Sequence, residues 1–106
     1  MTVYEISKTL PYEVVNQETD RAISGVYCGD LLSVVMAKAP EDSAWVTVIG
    51  NANAVAVASL TDVSCIILAE GYSYDEAAVS AAKGKVALLR SSEPVYETAA
   101  SIGKRL

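Results

Sequence analysis

Trp45-Val-Thr-Val-Ile49, Gly50-Asn-Ala-Asn53 and Ala54-Val-Ala-Val-Ala-Ser-Leu60 form the stretch on which the fold turns. The first segment is rich in β-branched and aromatic side chains and reads as a buried strand. The last alternates small and β-branched residues, and by period alone it is either a second strand or a helix. A strand there would close a hairpin through Gly50 to Asn53. A helix would make the same segment a crossover to a parallel neighbour. Three further apolar runs, Gly25-Val-Tyr-Cys28, Cys65-Ile-Ile-Leu68 and Val86-Ala-Leu-Leu89, recur with it about every 20 residues. Each run ends in a small or polar cluster followed by a segment that suits a helix. Such a period accommodates a short strand, a short helix and two loops, the minimum for right-handed parallel crossovers. Spacing therefore favours the helix for Ala54 to Leu60, with the hairpin as the alternative.

The remaining segments fit the same rhythm. From Asp30, a plausible N-cap, Leu31, Leu32, Val34, Val35 and Met36 wrap most of a helix that Pro40 stops. Asp75 to Lys83 carries small residues suited to close packing on a sheet, with Ser73 or Asp75 as its cap. Val95 to Leu106 follows Pro94, and its acids Glu93 and Glu97 precede the bases Lys104 and Arg105, as a helix dipole favours. Thr2 to Leu10 suits a short helix capped by Thr2, and Glu13 to Asn16 a first strand after Pro11. The expectation is one α/β domain, residues 1–106, with a mostly parallel sheet of about five strands.

Composition narrows the chemistry. The chain has 106 residues, 52% of them hydrophobic and 20% charged, enough for a single domain with a sizeable core. Thirteen acids against eight bases give a net charge of -5, which argues against nucleic acid as a partner. Histidine is absent, removing the commonest general base and metal ligand. The first dozen residues hold no signal-peptide core, and the longest apolar runs fall far short of the roughly 20 residues a membrane span needs. A cytoplasmic protein without membrane association is expected. Cys28 and Cys65 show no Cys-x-x-Cys spacing and read as buried free thiols.

In an open parallel sheet, ligands bind beyond the carboxyl ends of the strands. That rim nominates Asp30, Gly50, Asn51, Asn53, Glu70, Gly71, Ser91 and Ser92 as ligand contacts, with helix N-termini to meet an anion. The plainer reading is that Asp30, Asn53, Ser73 and Ser92 are helix caps and the glycines are turns. Asp30 and Glu70 are the carboxylates that an acid-base mechanism would need to pair, although solvated loop acids are the commoner outcome. No phosphate-binding loop is present, since neither Gly84-Lys85-Val86 nor Gly103-Lys104-Arg105 meets its pattern. Metal and cofactor sites are not expected. Six Tyr, one Trp and no Phe suit core edges or an interface.

Four segments also carry a resemblance: Gly29-Asp-Leu-Leu-Ser-Val-Val-Met36, Trp45-Val-Thr47, Asn53-Ala-Val-Ala-Val-Ala-Ser-Leu60 and Ile66-Ile-Leu68. Together they resemble the small stand-alone proteins of the DRTGG-domain family, over roughly residues 20 to 103. That family's closing Ser-x-Phe-Glu-x-Ala helix stands here as Ser92-Glu93-Pro94-Val95-Tyr96-Glu97-Thr98-Ala99, with Tyr96 replacing Phe. The name-giving string is missing, and Asp20-Arg21-Ala22-Ile23-Ser24-Gly25 is its faint echo. The resemblance implies a three-layer α/β/α sandwich like the N-terminal domain of HPr kinase/phosphorylase, and it supports the helix for Asn53 to Leu60. It further implies a regulatory or oligomerisation role, with catalysis residing in other domains. The resulting expectation is a non-catalytic sensor of a small anionic or nucleotide-like ligand. The alternative is a homodimer that assembles with a redox or kinase protein.

Overall fold

The computed structural model describes residues 1–106, in which ten elements follow one another. They are α1 (Val3–Thr9), β1 (Glu13–Asn16), β2 (Gly25–Cys28), α2 (Leu32–Lys38), β3 (Ser43–Thr47), α3 (Ala52–Thr61), β4 (Cys65–Leu68), α4 (Glu76–Ala82), β5 (Ala87–Arg90) and α5 (Val95–Gly103). The five strands form one sheet in the order β1-β5-β4-β3-β2. The four strands from β2 to β5 are parallel, and β1 runs antiparallel to β5.

Both faces of this sheet are covered, which is why the central strands read as unbroken apolar runs instead of alternating patterns. Side chains alternate between two cores with the period of two that a strand imposes. Ala44, Val46, Cys65, Ile67, Ala87 and Leu89 face Val3 and Ile6 of α1 and Ile102 of α5. Trp45, Ile66 and Leu88 face the other way, onto Val35 of α2, Ala54, Val55 and Ala58 of α3, and Ala78 and Ala82 of α4. The architecture is a three-layer α/β/α sandwich. Successive parallel strands step along the sheet in one direction, so right-handed connections place α2, α3 and α4 on the same face.

Residues 52–61 are a helix, so the hairpin alternative is excluded. Asn51 decides the matter locally: its side-chain oxygen accepts a hydrogen bond from the Ala54 N–H at 3.0 Å and starts the helix. The preceding strand ends at Thr47, two residues earlier than its composition suggests. The Asp30 carboxylate accepts bonds from the Thr47 hydroxyl (2.7 Å) and the Val48 N–H (3.0 Å), drawing Val48 out of the ladder.

The chain leaves β1 at one edge and must reach β2 at the other. The connection passes beneath the amino ends of the parallel strands, and Arg21 anchors it there. Its guanidinium donates to the Asp62 carboxylate (2.9 Å), to the carbonyls of Val63 and Asp62 (both 3.1 Å), and to the Asp42 carboxylate. Asp42 and Asp62 occupy equivalent turns that lead into β3 and β4, and both have left-handed backbones, with φ of 64° and 59°. Burial alone would lower the Arg21 pKa, but the two carboxylates outweigh it and hold the pKa above its ordinary value.

Two predictions follow from this packing. Arg21→Met should lower unfolding free energy by about 2 kcal/mol, because charge-assisted bonds are lost from a partly exposed and partly screened cluster. Arg21→Lys should restore little of it, since an ammonium lacks the planar fork that spans both turns. Urea titrations of the three proteins check the order. The second concerns Cys65, whose thiol is pushed up to about 12 by complete burial, with the Arg21 charge offsetting only part of that effect. The unfolded thiol loses its proton from about pH 9, while the folded one keeps it to about pH 12. Stability should therefore hold below pH 9 and fall as pH rises across that window. Cys65→Ser should give a protein less stable at pH 7 whose stability declines less steeply between pH 9 and 12.

Candidate functional site

Four loops meet at the carboxyl ends of the parallel strands, and the fold itself uses most of their polar groups. Asp30 is not the cap of α2. That position falls to Leu31, which makes no side-chain cap, while the Asp30 carboxylate ties the end of β3 instead. Asn51 caps α3, and Asn53 stands exposed in that helix's first turn. Gly50 lies against the Ser73–Tyr74 segment, where an added Cβ would sit 2.9 Å from the Ser73 carbonyl oxygen. The Gly50 carbonyl accepts from Asp75 N–H at 2.9 Å, so the gap between β3 and β4 is closed by the chain's own loop. Asp75 in turn caps α4 by accepting from Ala78 N–H at 2.8 Å.

Glu70 follows β4 and caps a helix far from it in sequence. Its carboxylate accepts from Val95 N–H, the first helical amide of α5, at 2.9 Å. Pro94 at the N-cap position has no side chain able to do this, and a carboxylate is favoured there by the helix dipole. Backbone bonds from Glu70 N–H to the Glu93 carbonyl (2.8 Å) and from Gly71 N–H to the Ser91 carbonyl (3.0 Å) lace the two loops together. This geometry requires left-handed backbones at Glu70 and Gly71, with φ of 63° and 74°. Glycine takes it freely, whereas at Glu70 it carries strain of about 1 kcal/mol.

The rim opens only at its β5 corner. Pro11, Glu13, Gly71, Arg90, Ser91 and Ser92 line a shallow cleft of about 160 Å³ with no hydrophobic wall. Three of the eight nominated residues, Gly71, Ser91 and Ser92, meet there; Asp30, Gly50, Asn51, Asn53 and Glu70 do not line it. The Arg90 guanidinium bonds to Glu13 (2.9 Å) and to the carbonyls of Tyr72 (2.9 Å) and Gly71 (3.3 Å), so its charge is already matched. Ser91 is buried and pairs with the Thr98 hydroxyl at 2.9 Å, while accepting from Glu93 N–H at 3.0 Å. Beside them Tyr12 donates to Glu93 at 3.1 Å, and its pKa is raised first by burial and then by that carboxylate. No buried side-chain nitrogen or oxygen in the molecule lacks a partner. The volume is below the 300 Å³ or more usual for organic ligands, and it suits an ion of phosphate size.

Asp30 and Glu70 are not brought together: each is held by different partners, and β3 lies between the strands that carry them. No group of three or more Cys, Asp or Glu side chains is placed to hold a metal ion. No helix is long and apolar enough to cross a membrane. Cys65 is buried as expected, but Cys28 is exposed on the edge strand β2. Its thiol pKa is raised, first by the partial desolvation that remains at this edge and then by the nearby Asp30 charge. The residue that sequence reasoning missed is Arg21. Its signal was the Asp20-Arg21 dipeptide in a stretch with no other base nearby. No protein-family model matches the chain, and no curated protein is detectably similar to it.

The rim yields a test of what Glu70 does. Removing the carboxylate in Glu70→Ala should cost about 1 kcal/mol, the usual value of a helix cap. Glu70→Gly loses the same cap but relieves the left-handed strain, and its stability should lie close to that of the parent. Chemical denaturation of both variants measures the difference directly.

Proposed function

We propose that this chain is a non-catalytic interaction module that acts by association with protein, in the manner of the DRTGG-type regulatory domains it resembles. The observation that carries the reading is the unequal treatment of the two sheet edges. An exposed edge strand is a template for pairing, and proteins that must stay monomeric blunt it with charge, proline or a bulge. At β1, Pro11 precedes the strand, Glu13 lies within it, and the register slips between Val14 and Asn16. At β2 the register is regular, and no charged residue or proline occurs from Ala22 to Gly29. Beside it Leu31, Val34 and Met36 stand exposed, although α2 is the outermost helix of its layer. Seven residues of helix with a single buried side chain, Val35, leave apolar surface that a partner would cover. A second copy, or a redox or kinase protein, fits that role.

The absence of histidine and the engagement of Asp30 and Glu70 in structural bonds support a module without catalysis. Sedimentation velocity from 1 to 300 µM should show concentration-dependent association of the protein alone, or, failing that, with a co-purifying protein. A monomer at every concentration with no stable partner contradicts the reading. So does a turnover that survives purification and disappears in the Asp30→Asn, Glu70→Gln double variant.

A second reading, sensing of a small anion at the rim, is favoured by the polar cleft where Gly71, Ser91 and Ser92 meet beside Arg90, whose guanidinium would exchange Glu13 for the ligand. A phosphate-sized or phosphorylated ligand at 100 times its Kd would add about 2.7 kcal/mol of stability. A thermal-shift series over inorganic phosphate, nucleotides and sugar phosphates should then single out a compound whose effect is lost in Ser92→Asp. No shift with any of them removes this reading and leaves association untouched.

A further inference from the structure

We infer that the occupant of the β2 edge is a second copy of this chain, its β2 pairing antiparallel to the first across a two-fold axis. The inference rests on the association reading above and names its partner and geometry. A two-fold axis normal to the sheet turns two edges toward each other in antiparallel register, and each strand supplies the backbone donors and acceptors the other lacks. The two five-stranded sheets then run on as one of ten strands.

The same axis preserves the faces of the sheet. It therefore sets the two α2 helices side by side on one face. Leu31, Val34 and Met36 are 65%, 40% and 44% exposed in the single chain. Val34 and Met36 lie on opposite flanks of the helix, about 100° either side of the buried Val35, so one of these flanks meets the other copy. On the opposite face α5 lies over β2 and β3 of its own copy and backs the seam.

Charge selects a second copy over a stranger. The molecule carries a net charge of -5, so two copies repel over most approaches. From Ala22 to Ala37 the one charged residue is Asp30, and its carboxylate is already held by Thr47 and Val48. Identical acidic molecules can meet on this side without opposing like charges. A basic partner would gain most from the acidic surface elsewhere.

Cys28 lies in the strand itself and is exposed, whereas Cys65 is fully buried, so a spin label attaches selectively at the proposed seam. Pulsed dipolar spectroscopy on the labelled full chain should find the two labels within about 25 Å, the reach set by four-residue strands paired antiparallel. Joining by the β1 edges instead would separate them by roughly 50 Å, twice the 25 Å molecular width. Cys28→Lys places two like charges at the seam and should raise the dimer dissociation constant at least tenfold, while Cys28→Ser should leave it unchanged. Circular dichroism confirms that both variants fold. Labelled protein that becomes monomeric, beside an unlabelled dimer, also locates Cys28 in the interface. A dimer with distant labels and no response to Cys28→Lys overturns the edge pairing but keeps association. A monomer at all concentrations overturns self-association itself, and the edge pairing with it.

Discussion

The crossing from β1 to β2 is the constraint on which the rest of this structure depends. Four parallel strands follow one another along the sheet through helical crossovers, which is a local operation repeated three times. The single non-local step carries the chain from one edge to the other, beneath every strand between them. Arg21 holds that step by bonding to the turns that open β3 and β4. Backbone pairing supports it on the neighbouring residues, with Val3 N–H donating to the Arg21 carbonyl and Ile23 N–H to that of Met1. The Arg21 side chain thus ties the crossing to the turns before β3 and β4, and the backbone around it ties the crossing to the start of α1. A planar cation with five donors suits this position, because the two aspartates and two carbonyls approach from different turns.

At the opposite end of the sheet the chemistry is turned inward. Rims of parallel sheets are common binding sites because helix N-termini and strand-end loops leave amides free. Here Asn51 and Asp75 cap α3 and α4, and Glu70 reaches across to cap α5. Asp30 stitches β2 to β3, and Arg90 joins β5 to Glu13 and to the loop after β4. A rim whose donors already have acceptors is a joint, and the small polar cleft at its β5 corner is what remains open. Under the proposed association, a partner would therefore meet the sheet edge and not this rim.

The fold was legible because both levels of pattern agreed. The twenty-residue spacing indicated parallel crossovers, and the strands Gly25–Cys28 and Cys65–Leu68 stand where their apolar runs begin and end. The strand order, and β1 as an antiparallel edge, were not written in any local pattern. The rim was legible as a place and not as a set of roles. Spacing locates Asp30, Glu70 and Asn53 after strands, but which amide a carboxylate meets depends on how loops from different units fold over one another. Glu70 serves a helix that starts at Val95. Arg21 was opaque for the same reason, since its partners Asp42 and Asp62 are set by topology. Cys28, read as buried from its apolar run, is exposed because β2 closes the sheet on one side with no neighbour of its own.

The edges therefore carry the functional argument. β1 is interrupted and charged, as suits a strand that ends a sheet, while β2 is regular and uncharged, as suits one that continues it. The most direct measurement is amide hydrogen exchange resolved by residue, compared between dilute and concentrated protein. Edge pairing predicts that the outward-facing amides of Val26 and Cys28 become protected as concentration rises, since those of Tyr27 and Gly29 already point to β3, while those of Glu13 to Asn16 exchange at the same rate throughout. Protection that is unchanged at β2, or that grows instead at β1 or the strand-end rim, would contradict it.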